Sequence, residues 1–283
     1  MARGSAYRVI DMALHGGSWP ARQQIEFFLF GRFSVRVDDH PLTELDGGKV
    51  RELLGFLLLF RHQQHHREML ADAFWSGRNT TQARKYLRQG LWRIQAAIGQ
   101  GPHDLLLVGS DWVQVNDNAL DWLDIRQFEA AMSAVKGIAG RDLSIAASDE
   151  LRKACDLYRG DLLEGWYQDW ALYERHRYKA RYISMLERLL EYAETHRQLD
   201  EALLYGDRIL EHDRAHERTH VRMMRIQYLS GDRTAAMRQF RQCVAILDHE
   251  LGARPAARTV EFFDRIRTDQ VTEDLLRDED TSG

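Results

Sequence analysis

The sequence predicts a mainly α protein with a small β component, divided into two domains. Short strands and three helices come first, and an all-α array follows. Three observations carry this. Apolar residues recur at helical spacing in residues 48–61, 66–75 and Thr80–Ile98. β-prone runs are confined to the flanks of those helices, at 25–30 and 33–37 before them and at 105–108 and Trp112–Val115 after them. From Leu123 onward the helical period continues almost without a break.

Residues 1–23 contain Arg3 and Arg8, His15-Gly16-Gly17-Ser18 and Pro20, but no apolar core segment. They read as a flexible arm rather than a signal peptide. Two strands turning at Gly31-Arg32 follow. In the second, Phe33, Val35 and Val37 alternate with Ser34, Arg36 and Asp38, as a half-buried strand requires. Val50, Leu53, Leu54, Leu57 and Leu58 then form the buried stripe of a first helix. Met69, Leu70, Ala73 and Phe74 mark a second, and Ser76-Gly77-Arg78-Asn79 breaks it from a third.

The third helix, Thr80–Ile98, is the most informative stretch. Leu87, Leu91, Ile94 and Ile98 share one narrow arc, flanked by Ala83 and Ala97. The opposite side collects Gln82, Arg84, Lys85, Arg88, Gln89, Trp92 and Arg93, and no Asp or Glu occurs from Asn79 to Ile98. An ordinary solvated helix mixes its signs for i,i+4 support. Asn79, Thr80 and Thr81 are each able to cap its start, and Gly99 to stop it. Arg can fork onto guanine, Gln onto adenine, and Lys can meet phosphate, so such a helix suits the major groove. The alternative is an Arg-rich surface helix without a special role.

The two β-prone runs after it surround Gly109-Ser110-Asp111, a hairpin signal. Helix, helix, basic helix, hairpin is the order of a winged helix-turn-helix, with the hairpin as wing. That domain spans 24–117 and ends in the polar turn Asn116–Asp121 (NDNALD). Helices at 123–135 and 144–158 follow, then an aromatic-rich segment running into a long helix that ends near His196. Ala202 aligns with Ala236, Gly206 with Phe240 and Leu210 with Val244, each offset by 34, the tetratricopeptide period. Residues 118–270 therefore read as a tetratricopeptide-like helical-repeat domain, with Gly231 and Gly252 where helices should end. The acidic tail, 271–283, reads as disordered.

Several short stretches together resemble a known family. Leu29-Phe30-Gly31-Arg32-Phe33 with Val35 and Val37, then Lys49-Val50-Arg51-Glu52-Leu53-Leu54, is similar to the opening of response-regulator-type winged helices carrying an N-terminal sheet. Ala83-Arg84-Lys85-Tyr86-Leu87-Arg88-Gln89 and Leu91-Trp92-Arg93-Ile94 stand at the recognition-helix position. Tyr158-Arg159-Gly160-Asp161-Leu162-Leu163-Glu164-Gly165 and Glu250-Leu251-Gly252-Ala253-Arg254-Pro255 look like hallmarks of the bacterial transcriptional activator domain. The chain thus resembles SARP-type bacterial activators over roughly residues 24–268. The resemblance implies DNA as partner, dimerisation on direct repeats, and contact with RNA polymerase through residues 76–81. Gly90 departs from the pattern in mid-helix, at a cost of about 1 kcal/mol relative to Ala, and suggests close approach to a neighbouring backbone.

Composition is that of an ordinary globular protein, at 44% hydrophobic and 29% charged residues. The absence of an 18-residue apolar run gives no reason to expect a membrane partner. Cys155 and Cys243 each lie in a helical pattern, so a reducing cytoplasm with both thiols free and buried is expected. The net charge of −4 hides an uneven distribution: residues 49–98 carry nine Lys or Arg against three Asp or Glu. DNA binding needs such a local basic face, not a basic protein.

Gly47-Gly48-Lys49 is not a phosphate loop, since Thr43 and Val50 stand where Gly and Ser or Thr are required. His62, His65 and His66 lack a Cys or carboxylate cluster and read as a polar loop near DNA rather than a metal site. No catalytic motif is present, so neither an enzyme nor a cofactor is expected. Trp166, Tyr167, Trp170, Tyr173, Tyr178 and Tyr182 read as packing between helix pairs, or else as the lining of a ligand groove.

The expected function is a sequence-specific transcriptional activator. Arg88, Gln89, Trp92 and Arg93 would contact bases or groove, while Arg84, Lys85 and the wing near Ser110 would meet phosphate. The rival is a helical-repeat scaffold whose winged helix binds protein.

Overall fold

A computed structural model describes residues 24–45, 48–98 and 104–271. The expected N-terminal arm, the Gly99 stop, Gly47 and nearly all of the acidic tail lie outside the described residues. The chain forms two compact units, Met1–Arg126 and Gln127–Gly283.

In the first unit, β1 (Ile25–Phe28) pairs antiparallel with β2 (Ser34–Val37), Ile25 opposite Val37 and Phe28 opposite Ser34. The sequence suggests a longer β1. It stops at Phe28 because the next two amides leave the ladder: Leu29 and Phe30 donate to one Oδ2 of buried Asp124, at 2.7 and 2.8 Å. Three strands of two residues each escape sequence reading. β3 (His40–Pro41) returns on β2 through a two-residue turn in which Asp38 and Asp39 are both left-handed (φ 50° and 65°). That turn normally advertises itself with Asn-Gly or Asp-Gly; here a second Asp replaces the Gly.

The helices α1 (Gly48–Leu59), α2 (Arg67–Trp75) and α3 (Thr80–Ile98) follow as the periodicity predicts. α1 buries Leu53, Leu54, Leu57 and Leu58, and both α1 and α2 pack on α3. His65–His66 corrects the expected polar loop. It is a strand, β4, pairing antiparallel with β6 (Trp112–Val115), His65 opposite Val113. β5 (Leu106–Val108) completes the hairpin, so the wing is the outer part of a three-stranded sheet ordered β4-β6-β5. Finally β7 (Trp122–Leu123) runs parallel to β1, giving the other sheet the order β3-β2-β1-β7.

The second unit is helical. The boundary falls within α4 (Asp124–Ala134), and α5 (Ile145–Leu157) and α6 (Asp169–Thr195) follow. α7 (Leu199–His212), α8 (Glu217–Leu229), α9 (Arg233–Leu251) and α10 (Ala257–Thr268) then pack each on the next. The positions related by the 34-residue offset agree only in part, since Leu210 is half-buried and its counterpart Val244 is exposed. Ala202 and Ala236 are fully buried, and a Cβ on Gly206 would lie 2.8 Å from the Met223 Cγ. The absent side chain is what lets α7 and α8 approach so closely.

Long-range side chains fix the connections. Gly252 takes a left-handed conformation (φ 61°) to end α9, and the next amide, Ala253, bonds back to Leu247. The Glu217 carboxylate, at the start of α8, caps α10 by accepting from the Ala256 amide at 2.7 Å and from the Thr259 hydroxyl.

Candidate nucleic-acid interface

α3 begins at a cap that the sequence leaves open among three residues. Asn79 provides it: the Asn79 Oδ1 accepts the Gln82 amide at 2.9 Å, and the Asn79 carbonyl takes the first helical bond from Ala83. Ala83, Leu87, Gly90, Leu91, Ile94 and Ile98 are buried. Gln82, Arg84, Lys85, Arg88, Gln89, Trp92 and Arg93 are all exposed, Trp92 at 64%. The predicted phasing therefore matches residue by residue.

Gly90 faces inward, but not toward a neighbouring backbone as its isolation suggests. A Cβ there would meet side chains at ordinary contact distance, Trp75 and Val50 at 3.6 Å and Leu53 at 3.7 Å.

The cationic face divides in two. Among the described residues, the head groups of Lys85, Arg88 and Arg93 enter no ion pair or hydrogen bond. Arg84 is different, because its guanidinium pairs with Glu68 on α2. Both partners are more than half exposed, so the pair contributes little to stability and can yield to a phosphate. Arg84 and Glu68 line an open cleft of about 770 Å³ together with Arg67, Arg88, Ser110 and Asp111.

Arg67 is the functional candidate that sequence reading overlooks. Its Nη1 donates to the Gly109 carbonyl at 3.0 Å, and its amide donates to the Asp111 carbonyl at 2.8 Å. The wing tip is thus fastened to the start of α2. Ser110 is exposed, as a phosphate contact requires, but its hydroxyl donates to the Asp111 carboxylate at 2.9 Å. A phosphate arriving there meets an anion beside the donor, which weakens that contact.

The three histidines diverge. His65 lies edge-on to Phe56 and Phe60, and its Nε2 donates to the Phe60 carbonyl at 3.1 Å. Burial holds its pKa below the ordinary 6.5. His66 lines the cleft, and exposed His62 lies 3.2 Å from the Asp117 carboxylate. No group of three or more His, Cys, Asp or Glu able to hold a metal occurs among the described residues.

In the helical unit the aromatic group separates by burial. Tyr178 and Tyr182 are core, and Tyr182 stacks on Tyr158 at 4.2 Å. Trp166 and Trp170 meet edge to face, half-buried, whereas Tyr167 and Tyr173 are exposed at 79% and 69%. Cys155 is fully buried, and burial pushes its thiol up to about 12.

Residues 123–267, just over half of the chain, match the family model described as bacterial transcriptional activator domain (BTAD). The chain belongs to the bacterial transcriptional activator domain family. It is thereby a member of a transcriptional activator family, and the SARP-type resemblance of the sequence stands. A solved structure, Mycobacterium tuberculosis EmbR in complex with a low affinity phosphopeptide, has a similar fold at a TM-score of 0.72. The two chains are 17% identical, and the match covers 89% of this chain and 67% of that one. At that identity the likeness speaks for fold alone. No curated protein matches the sequence.

The activator-domain motif at 158–165 has a clear structural basis. Leu162 and Leu163 are buried, and Leu163 and Gly165 take left-handed conformations (φ 50° and 83°). The Trp166 amide closes the turn onto the Leu163 carbonyl at 3.1 Å. Arg175 on α6 adds the rest, donating to the Leu162, Leu163 and Trp166 carbonyls at 2.7–2.9 Å, while the Tyr158 hydroxyl donates to Asp161 at 2.9 Å.

Proposed function

We propose that this BTAD-family protein is a sequence-specific DNA-binding activator that lays α3 in the major groove and recruits RNA polymerase. One observation carries the reading: Lys85, Arg88 and Arg93 stand exposed and, among the described residues, unpaired, beside Gln89 and Trp92, on a helix without a single carboxylate. Leaving three cations unpaired on one helix face brings no folding benefit. It suits phosphates and purine edges, which supply the missing partners.

In this reading Arg88, Gln89, Trp92 and Arg93 contact bases or groove. Arg84, Lys85, Arg67 and the wing near Ser110 position the protein on phosphate. The helical unit pairs two copies on direct repeats, and the protein works in the cytoplasm.

The test is gel retardation with fragments selected from genomic DNA by the full-length protein. Binding should weaken steeply with salt. Arg88→Ala should cost about 1–3 kcal/mol if it forks onto guanine. Unchanged affinity in Arg88→Ala combined with Arg93→Ala would refute the assignment. On a two-repeat site, inserting about half a helical turn, roughly 5 bp, should remove cooperative binding. Retention of proteins but of no DNA would favour a scaffold instead.

A further inference from the structure

The exposed face of α3 has a centre and two margins, and they differ in chemistry. At 100° per residue, Lys85, Gln89, Trp92 and Ala96 fall within about 60° of one another, directly opposite Leu87 and Ile94. Leu87 and Ile94 are buried at 1% and 0% exposure, and all four outward residues are exposed. Arg88 and Arg93 lie about 70° to either side of that centre. In a helix seated in the major groove, the centre goes deepest and the margins run along the two phosphate walls. The most inward positions therefore carry an ammonium, an amide, an indole and a single methyl group.

Trp92 is the unusual member. It is a large apolar ring, 64% exposed, and it makes no ring or cation contact among the described residues. Its neighbour Ala96, one turn on, is too small to keep the ring from a base. Gln89 lies three residues before Trp92, about 4.5 Å along the helix axis, close to the roughly 3.4 Å spacing of successive base pairs.

We infer that Gln89 and Trp92 together read two adjacent A·T pairs. The Gln89 amide forks onto N6 and N7 of an adenine, and the Trp92 ring covers the C5-methyl group of a thymine in the next pair. Arg88 and Arg93 then act chiefly on the two walls of the groove. The inference rests on the DNA-binding reading, which it extends by naming the bases.

The experiment removes the methyl group and nothing else. Binding sites are selected from random double-stranded DNA with the full-length protein. Each thymine of the selected site is then replaced by deoxyuridine, and affinity is measured for native protein, Trp92→Ala and Trp92→Phe. At one thymine, adjacent to the adenine whose preference is lost in Gln89→Ala, uracil should weaken native binding about fourfold. That is the Boltzmann factor for about 0.8 kcal/mol of buried methyl group. Trp92→Ala should bind thymine and uracil alike, and Trp92→Phe should retain most of the discrimination. If native protein is indifferent to every thymine replacement, or if Trp92→Ala still discriminates, the assignment of Trp92 is overturned while DNA binding stands. If no double-stranded sequence is enriched at all, the DNA-binding reading fails, and this inference with it.

Discussion

Gly90→Ala should stabilise the N-terminal unit, although it changes a buried glycine in the helix proposed to bind DNA. Gly90 lies in the interior of α3, where the backbone is already helical and alanine needs no rearrangement. The added methyl group would sit 3.6 Å from Trp75 and Val50 and 3.7 Å from Leu53, in contact but not in collision. Helix propensity contributes about 1 kcal/mol. The new contacts contribute at most about 0.8 kcal/mol for one buried methyl group. The expected gain is about 1–1.5 kcal/mol, which in a unit of this size raises the melting temperature by about 4–8 °C per kcal/mol. Differential scanning calorimetry of the full-length protein reads it as a shift of one transition only. Operator affinity, measured on the same sample, should not change, because Gly90 faces Trp75 rather than the cationic surface. A larger residue is different: Gly90→Leu carries atoms past the contact distance and should cost about 1–3 kcal/mol. A melting temperature that falls in Gly90→Ala would refute the claim that the site has room. It would restore close backbone approach as the reason for the glycine.

Three further outcomes are expected. Leu91→Ala removes a side chain that is 2% exposed and should destabilise the same unit by about 2–5 kcal/mol, seen as an earlier calorimetric transition; an unchanged transition would mean the phasing of α3 is inverted. Asp124→Ala leaves the buried amides of Leu29, Phe30 and Ile125 without their acceptor, at 2.7–2.8 Å in the native protein, and should cost about 3–6 kcal/mol; urea titration with a loss under 1 kcal/mol would contradict that role. The helical unit should lose stability in acid. His220 is fully buried, donating from Nε2 to the Arg214 carbonyl and accepting at Nδ1 from Gln239, and desolvation holds its pKa below 6.5, as it does for His212. The unfolded chain takes up these protons as pH falls through 6.5 while the folded chain resists, so stability is complete above that pH and declines below it. A melting temperature that is flat between pH 7 and 5 would refute this.

The sequence by itself determined the helices and the chemistry of one face. α3 is legible from Thr80 to Ile98, because a 3.6-residue period, a cluster of capping residues at 79–81 and an absence of carboxylates are all local properties; only the choice among the three caps was left to the structure, which uses Asn79. The same holds for α7 and α9, whose bounds and 34-residue offset can be read without knowing what they touch. The tertiary structure decided how the rest is held. β4 and β7 are two residues each, too short for any period, and exist only because β6 and β1 offer edges to pair with. Leu29 and Phe30 leave their strand for a carboxylate 95 and 94 residues away, and α10 is capped from Glu217 in another helix. Arg67 and Glu68 read as ordinary helix-start residues until folding brings the wing and Arg84 against them. A backbone amide must find an acceptor somewhere, but the chain order does not say where. Only the folded protein, by bringing distant segments within 3 Å, makes that choice.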